Sequence, residues 1–388
     1  MNGFLESLMC DARKCAAGLA LVSWLSGCTA AQPNVSLPPR PIDKYTSLNL
    51  SGDQIKNGRF DITVEYGDDG VGWLAYSIVE IPSRVATHLA KSTDQGASWQ
   101  HVALLNPVEE ATVEIRGREK KGLWRNETPT LAYDPGDRGR EWKLFWHKYF
   151  VEPPYQDHDR RFEQGWIACR YAPKPEGPWS EEIRLLGTPE VGAKVDIHKL
   201  SPALKDVIFL MEPGAIADNG VLYMCADICT TPTSLGDWMN RKIILLSSKD
   251  HGESWDYVGP LTTGQDAKDF GYAALTGSSL VRDKDKLYLL ITPSGSSSKK
   301  NRGHDGTIIA EIADITKAEL VRDEKGHIKP VNYLPPKFTM GGLADYHEQN
   351  TNGGIIMPQI NLETLPVVFQ VLSTGEGIQP ATAQPGQQ

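Results

Sequence analysis

One eight-residue pattern occurs twice, as Ser92-Thr93-Asp94-Gln95-Gly96-Ala97-Ser98-Trp99 and as Ser248-Lys249-Asp250-His251-Gly252-Glu253-Ser254-Trp255. Both copies read S-x-D-x-G-x-S-W, and both join segments with strand character. An Asp in a tight turn accepts hydrogen bonds from nearby backbone N–H groups, and a Gly two positions on takes φ > 0 at no steric cost. The serines can tie the turn off, and the Trp can pack against the sheet that leaves it. A chain that repeats so specialised a turn is built from repeated β-units.

The rest of the chain agrees. Period-two alternation or short apolar runs mark strands at 60–66, 72–77, 130–133, 142–149, 166–171, 214–217, 221–227, 242–247, 279–281, 286–292, 307–312, 354–359 and 367–372, and no long amphipathic helix competes. With 36 Gly and 26 Pro between them, short strands and frequent turns predict an all-β sandwich or propeller. The strands fall into five groups, at 57–106, 124–186, 211–261, 272–320 and 341–374. The second group ends in Gly177-Pro178-Trp179, which stands where the octapeptide stands in the first and third. The expectation is a single five-bladed β-propeller. A sixth blade, the alternative, could only occupy 186–209.

The two octapeptides resemble the Asp boxes of β-propellers, a set that includes sialidases and many other carbohydrate-active proteins. That resemblance speaks to fold more than to chemistry, because Asp boxes sit on the propeller rim.

The first 27 residues read as a leader. Arg13 and Lys14 precede an apolar stretch from Cys15 to Leu25, which ends in Leu25-Ser26-Gly27-Cys28. Positive charge, a short apolar run and small residues before a cut site describe a secretory signal, and the run is too short for a membrane span. Leu-Ser-Gly-Cys resembles the bacterial lipobox. This implies lipidation of Cys28 and, with Thr29 rather than Asp next to it, outer-membrane attachment in a Gram-negative source; an ordinary signal peptide is the alternative. Residues 28–45 read as a tether, 46–374 as the propeller and 375–388 as a disordered tail. The membrane is then met only through the lipid. Cys169, Cys225 and Cys229 remain, an odd number that leaves at least one thiol unpaired. A net charge of −9 offers no basic face to nucleic acid.

In a propeller the innermost strand of each blade lines a central channel. Three such strands open with a carboxylate at the same relative place: Gly58-Arg59-Phe60-Asp61, Arg125-Asn126-Glu127-Thr128-Pro129 and Met211-Glu212-Pro213-Gly214. Radial repetition predicts that Asp61, Glu127 and Glu212 converge on one mouth of the channel. Three such carboxylates resemble the active site of the five-bladed arabinanase, β-xylosidase and β-fructosidase glycosidases. The resemblance implies Asp61 as base or nucleophile, Glu127 as the carboxylate that tunes and positions, and Glu212 as general acid, acting on an oligo- or polysaccharide. Glycoside hydrolysis needs one protonated and one ionised carboxyl, and crowded like charges raise the pKa of one member. Glu127 stands where that superfamily usually has Asp.

A second resemblance is to exo-sialidases, which use an arginine cluster, a Tyr–Glu nucleophile pair and an Asp acid. Arg59 and Arg125 could supply two of the arginines that grip a substrate carboxylate; no nucleophilic Tyr declares itself. A non-catalytic carbohydrate-binding or scaffold propeller is the rival from outside enzymology. Further candidates for sugar contact are Trp124, Tyr272, His304, Asp305 and His347. The five-bladed resemblance also makes calcium in the channel possible near a late-blade His; otherwise no cofactor is expected. The segment 155–161, with Asp157, His158 and Asp159, reads as a solvated loop.

Overall fold

The computed structural model describes residues 33–37, 45–54, 58–80, 84–115, 117–152, 164–230, 241–295, 303–338, 340–350, 354–360, 367–373 and 378. The expected leader, Cys28 and the 155–161 segment lie outside the described residues, as does the expected tail apart from Ile378, which is buried and whose N–H donates to Asp283 Oδ2 at 3.1 Å.

Five antiparallel sheets follow one another around a ring, each starting at the channel. Blade I runs Arg59–Tyr66, Gly72–Glu80, Arg84–Ser92 and Trp99–Asn106, with Leu50–Ser51 parallel on its outer edge. Blade II runs Arg118–Tyr133, Trp142–Val151, Gly165–Ala172 and Ile183–Gly187, and blade III Val207–Asp218, Val221–Thr230, Arg241–Ser248 and Asp256–Pro260. Blade IV is Ala274–Asp283, Lys286–Ser294 and Thr307–Asp314, the last paired with both Glu319–Leu320 and Pro330–Leu334. Blade V begins with two short pieces, Met340–Gly341 and Asp345–Tyr346, followed by Gly354–Ile360 and Val367–Ser373. Its outer strand, Tyr45–Ser47, comes from the other end of the chain, with Thr46 opposite Val371. The ring is closed by that pairing. The stretch considered for a sixth blade instead holds two 3₁₀ turns, Pro189–Val191 and Pro202–Leu204, around a short helix, Ile197–Leu200.

Apolar side chains are buried between blades. Trp73, Leu89, Leu131, Trp142 and Trp146 fill the wedge between blades I and II, and Phe145, Ile167, Leu210, Met224 and Trp255 the next. Leu245, Leu275, Leu289 and Ile308 join III to IV; Tyr288, Ile309 and Ile355 join IV to V; Val64, Leu74 and Ile356 close V onto I. Second strands therefore bury both faces, which is why Trp142–Val151 is buried at every position. Cys169, Cys225 and Cys229 are all buried as thiols, outside any disulfide among the described residues.

The expected tether does not wholly hang free. Val35 and Leu37 pack against the III–IV core, Val35 N–H donates to Asp269 O at 2.9 Å, and Asn34 Nδ2 donates to Asp269 Oδ1 at 2.9 Å. Two apolar residues in a Pro- and Ser-rich stretch are enough to dock it.

The two octapeptides form the same turn. Ser92 Oγ donates to Asp94 Oδ1 at 2.7 Å and accepts from Gly96 N–H at 2.8 Å, and Ser98 N–H returns to Asp94 Oδ1 at 2.9 Å. The second copy repeats these bonds through Ser248, Asp250, Gly252 and Ser254, at 2.8, 2.7 and 2.9 Å. Gly96 and Gly252 sit at φ 80° and 95°, and Trp99 and Trp255 are buried. The donors hold Asp250 down at about 2, with Ser254 the largest cause. Asp250→Ala is expected to cost about 1–2 kcal/mol in urea unfolding, since a net bond contributes about 0.5–1.5 kcal/mol. An unchanged urea midpoint would refute the structural role.

Candidate active site

The channel mouth is shaped by a defect repeated in every inner strand. The ladder slips between Phe60 and Ile62, between Glu127 and Thr130, between Met211 and Gly214, and between Thr276 and Ser278. At each slip one residue takes a left-handed backbone: Asp61 (φ 42°), Thr128 (52°), Glu212 (54°) and Gly277 (32°). Leu343 (47°), between the two inner pieces of blade V, completes the set. A bulge leaves one residue outside the ladder and re-aims its side chain. Pro129 and Pro213, which lack an N–H, fit within the slips.

The released N–H groups cross to neighbouring blades. Thr128 N–H donates to Ser77 Oγ at 3.0 Å, Gly277 N–H to Glu212 Oε2 at 2.6 Å, and Leu343 N–H to Thr292 Oγ1 at 2.7 Å. Just below the bulges, Leu131 N–H reaches Thr63 Oγ1 at 3.3 Å, Ala215 N–H reaches Thr130 Oγ1 at 3.2 Å, and Val64 N–H reaches Asp345 Oδ2 at 2.6 Å. Each inner strand is thus fastened to the next blade by hydrogen bonds as well as by apolar packing. Non-glycine residues at φ > 0 cost of order 1–3 kcal/mol each, and this ring over-determines them.

Asp61 sits among charges of its own sign. It is 7% exposed, and its Oδ2 is buried without a donor among the described residues. Burial first, then the charges of Glu127 and Glu212, hold its carboxyl well above the ordinary aspartate range; bonds from Ser77 and the Thr128 N–H oppose this without cancelling it. Glu127 is half-buried and accepts a short hydrogen bond from Tyr149 Oη, to which Arg125 Nη1 donates at 3.3 Å. His147 stacks on Tyr149 at 4.6 Å. Glu212 is 9% exposed, and one of its oxygens takes both the Gly277 N–H and, at 3.4 Å, Arg241 Nη2. A Cβ on residue 277 would lie 2.6 Å from Leu343 Cδ2 and 3.1 Å from that oxygen, so the close approach requires Gly. Arg241 is itself paired to Asp227, which is fully buried and whose Oδ1 meets no donor among the described residues.

The other predicted residues are distributed differently. His304 belongs with the trio: burial lowers its imidazole, Glu212 pulls it upward and Arg241 downward. Tyr272 Oη donates to buried Asp305 at 2.7 Å, and Tyr333 Oη holds the Asp305 carbonyl at 2.8 Å. Arg59 departs from its expected role, since its guanidinium is forked onto Asp53 at 2.6 and 2.8 Å. Trp124 also departs: it packs against Trp166 at 4.8 Å and Phe150 at 5.3 Å, inside blade II. His347 does reach the channel, but on the side away from the trio. There Thr63–Glu65, Thr130, Ala215–Ala217, Ser279–Arg282 and Asp345–Glu348 line a cavity of about 110 Å³. His347 lies tilted against Tyr66, ring centroids 4.6 Å apart, and its Nε2 lies 3.3 Å from Glu65.

Sequence reasoning did not find Tyr149, Ser77, Arg241 or Asp227. One signal was available, an Asp between Ala226 and Ile228 in an apolar strand. Among the described residues, three potential metal ligands within reach of one another, Asp134, Asp137 and His251, lie at the join of blades II and III. The Lys143 ammonium already occupies that position, 2.6 Å from Asp137 and 3.6 Å from Asp134. This group is outside the channel where calcium was considered.

No family model matches the chain, and neither does any curated protein. Solved structures do. A thermostable family-43 glycoside hydrolase superposes with a TM-score of 0.50 at 11% identity, over 86% of this chain and 96% of that one. A second structure, described as a glycoside hydrolase, gives a TM-score of 0.51 at 12% identity, over 92% of this chain and 96% of that one. At such identities the likeness concerns the fold, an all-β five-bladed propeller.

Proposed function

We propose that the chain is a glycoside hydrolase whose reaction takes place at the channel mouth among Asp61, Glu127 and Glu212. One observation carries the reading: Asp61 is buried against two other carboxylates, with an oxygen that no donor among the described residues satisfies. An unpaired buried carboxyl costs stability, and proteins keep such groups where their protonation is used. Hydrolysis of a glycosidic bond asks for carboxyls held in different protonation states. The name of the family-43 structure with the same fold supports the same class of chemistry. Read with the leader, the substrate is an extracellular oligo- or polysaccharide met by an exported protein anchored through Cys28.

A second reading is exo-sialidase. It is favoured by the Tyr149–Glu127 hydrogen bond with Arg125 beside it, the Tyr–Glu–Arg combination that the sequence alone did not reveal. A single panel separates the readings. Full-length chain purified in detergent should release the aryl group from one class among arabinosides, xylosides, galactosides and sialosides. Turnover confined to sialosides, and lost in Tyr149→Phe, would select the second reading. Absence of turnover with saturable glycan binding would make the protein a binding propeller and end the hydrolase proposal.

A further inference from the structure

The segment docked ahead of the propeller lies on one side of the ring, the side that holds the mouth. Strand register fixes its level. Ile243 is opposite Asp227, and Asp227 is opposite Met211, the neighbour of Glu212. The Ile243 carbonyl accepts from Leu261 N–H and Thr262 N–H at 2.8 and 3.1 Å, so blade III passes into the helix Gly264–Asp269 at the height of the mouth. Asp269 at the end of that helix is buried, and its carbonyl and carboxylate take Val35 N–H and Asn34 Nδ2. Gly271 comes against Pro33, since a Cβ there would lie 3.2 Å from Pro33 Cβ. Tyr272, next in the chain, donates to Asp305, whose neighbour His304 feels the charges of Glu212 and Arg241. A short row of side chains thus leads from Pro33 to the carboxylates across the mouth side of blades III and IV.

We propose that the chain turns its channel mouth toward the membrane that anchors it, and acts there on a saccharide carried by a lipid of that membrane. The inference rests on two readings given above, anchoring through Cys28 and glycoside hydrolysis. Pro33 is five residues beyond Cys28, and an extended chain spans at most about 3.3–3.6 Å per residue. The dock is therefore held within about 18 Å of the lipid-bearing residue, and hence of the membrane surface. The opposite side of the ring is out of reach. Blade III alone runs from Met211 to Asp218, about 23 Å at about 3.3 Å per residue, before its turn at Asn219 and Gly220. Laying that turn on the membrane asks more than the tether's length while Val35 and Leu37 stay packed in the III–IV core. On the mouth side, the blade II hairpin, with Glu109 opposite Trp124 and Ile115 opposite Arg118, holds the surface off rather than sealing the mouth. A saccharide that rises from the lipid surface then meets the carboxylates directly. Sharing one surface also raises its effective concentration at the site, a gain that a dissolved polymer does not have.

Two measurements on the lipidated chain in phospholipid vesicles test the proposal. Lys268 on the docking helix and Asp285 at the far turn of blade IV are exposed, whereas Cys169, Cys225 and Cys229 are buried. Lys268→Cys or Asp285→Cys therefore offers an accessible thiol for a fluorophore. Energy transfer to an acceptor on the lipid headgroups should be at least about twofold stronger from position 268, because the strand Ala274–Asp283 puts about 30 Å between the two levels. Val35→Asp with Leu37→Asp keeps the lipid and undoes the dock, and the difference should shrink. A Gly-Ser insertion before Pro33 repeats that comparison where the double variant does not fold by thermal melting. The second measurement uses the sugar the parent cleaves, attached to a lipid. Cleavage should be about 10²-fold faster with that lipid in the enzyme's own vesicles than in a second vesicle population. Equal transfer from the two positions, or stronger transfer from 285, would overturn the orientation. A transfer difference untouched by undocking would overturn the role of the dock. Cleavage as fast across vesicles as within them, or of dissolved glycosides only, would overturn the substrate assignment and leave the hydrolase reading standing. A chain that does not float with vesicles would end the anchor reading and this inference with it. A parent inactive on every glycoside would remove the hydrolase reading and the substrate class, while transfer would still decide the orientation.

Discussion

Arg241→Met is expected to lower stability by about 3–5 kcal/mol, the cost of leaving a buried charge without its partner. Asp227 is 0% exposed and one of its oxygens already lacks a donor among the described residues, so Arg241 is what makes its charge tolerable. Burial also lowers the affinity of the Arg241 guanidinium for its proton, and the charge of Glu212 opposes this. The pair need not be stabilising as a whole. Replacing both members by apolar side chains removes two desolvation penalties as well as one attraction, and is often neutral. The double variant Arg241→Met, Asp227→Leu should therefore recover most of the loss. Urea unfolding at pH 7 of the parent, the singles and the double closes the cycle. A single variant as stable as the parent, or a double no better than the single, would refute the account.

The second large effect is a pH dependence set by Asp345, on the far side of the channel. Its carboxyl is pushed up to about 7, by burial first and also by Glu65, although it accepts from Val64 N–H and is approached by the Tyr346 N–H and the Thr63 hydroxyl. Arg282, His347 and Glu348 line the same cavity. Because the folded value is raised, the stability this group contributes is fully present below about 4. It is lost as pH climbs through about 7. The parent should thus forfeit stability on the order of 4 kcal/mol between pH 4 and pH 8 through this group, at about 1.36 kcal/mol per unit. Asp345→Asn keeps an acceptor for Val64 and removes the titration. Its stability relative to the parent should rise steadily over that range, and a difference independent of pH would sink the prediction. Taking the difference matters, because Asp94 and Asp250 have lowered values and lose their contribution as pH falls.

Much of this molecule was legible before any coordinates. The octapeptides marked two blade boundaries, Gly177-Pro178-Trp179 a third, and the grouping of strands the other two. Three inner strands that open with a carboxylate at the same relative place picked out Asp61, Glu127 and Glu212. What stayed hidden depends on register across strands. Tyr149 meets Glu127 only because Arg125 pairs with Tyr149 and Glu127 with His147 in the ladder. Arg241 reaches Glu212 across two strands and a segment outside the described residues. Neither relation has a fixed separation in sequence. Arg59 misled for a related reason: a guanidinium two residues before a catalytic candidate had a nearer carboxylate, Asp53, to fork onto. Trp124 misled because a strand that runs on above the mouth, Arg118–Tyr133, buries its aromatic side chain against its own sheet.

The pairing of Tyr45–Ser47 with Val367–Ser373 also sets a timetable. The first of these strands leaves the ribosome more than three hundred residues before the second exists. At about 5–20 residues per second, that interval lasts on the order of 15–60 s. During it, four blades can assemble by local hairpin pairing, while the earliest strand has nothing to pair with. Closure therefore waits for the Val367–Ser373 strand, and until then the ring is exposed to a competing edge. A nascent chain stalled before residue 367 should present an open arc, readily cut by protease, where the released chain presents a ring.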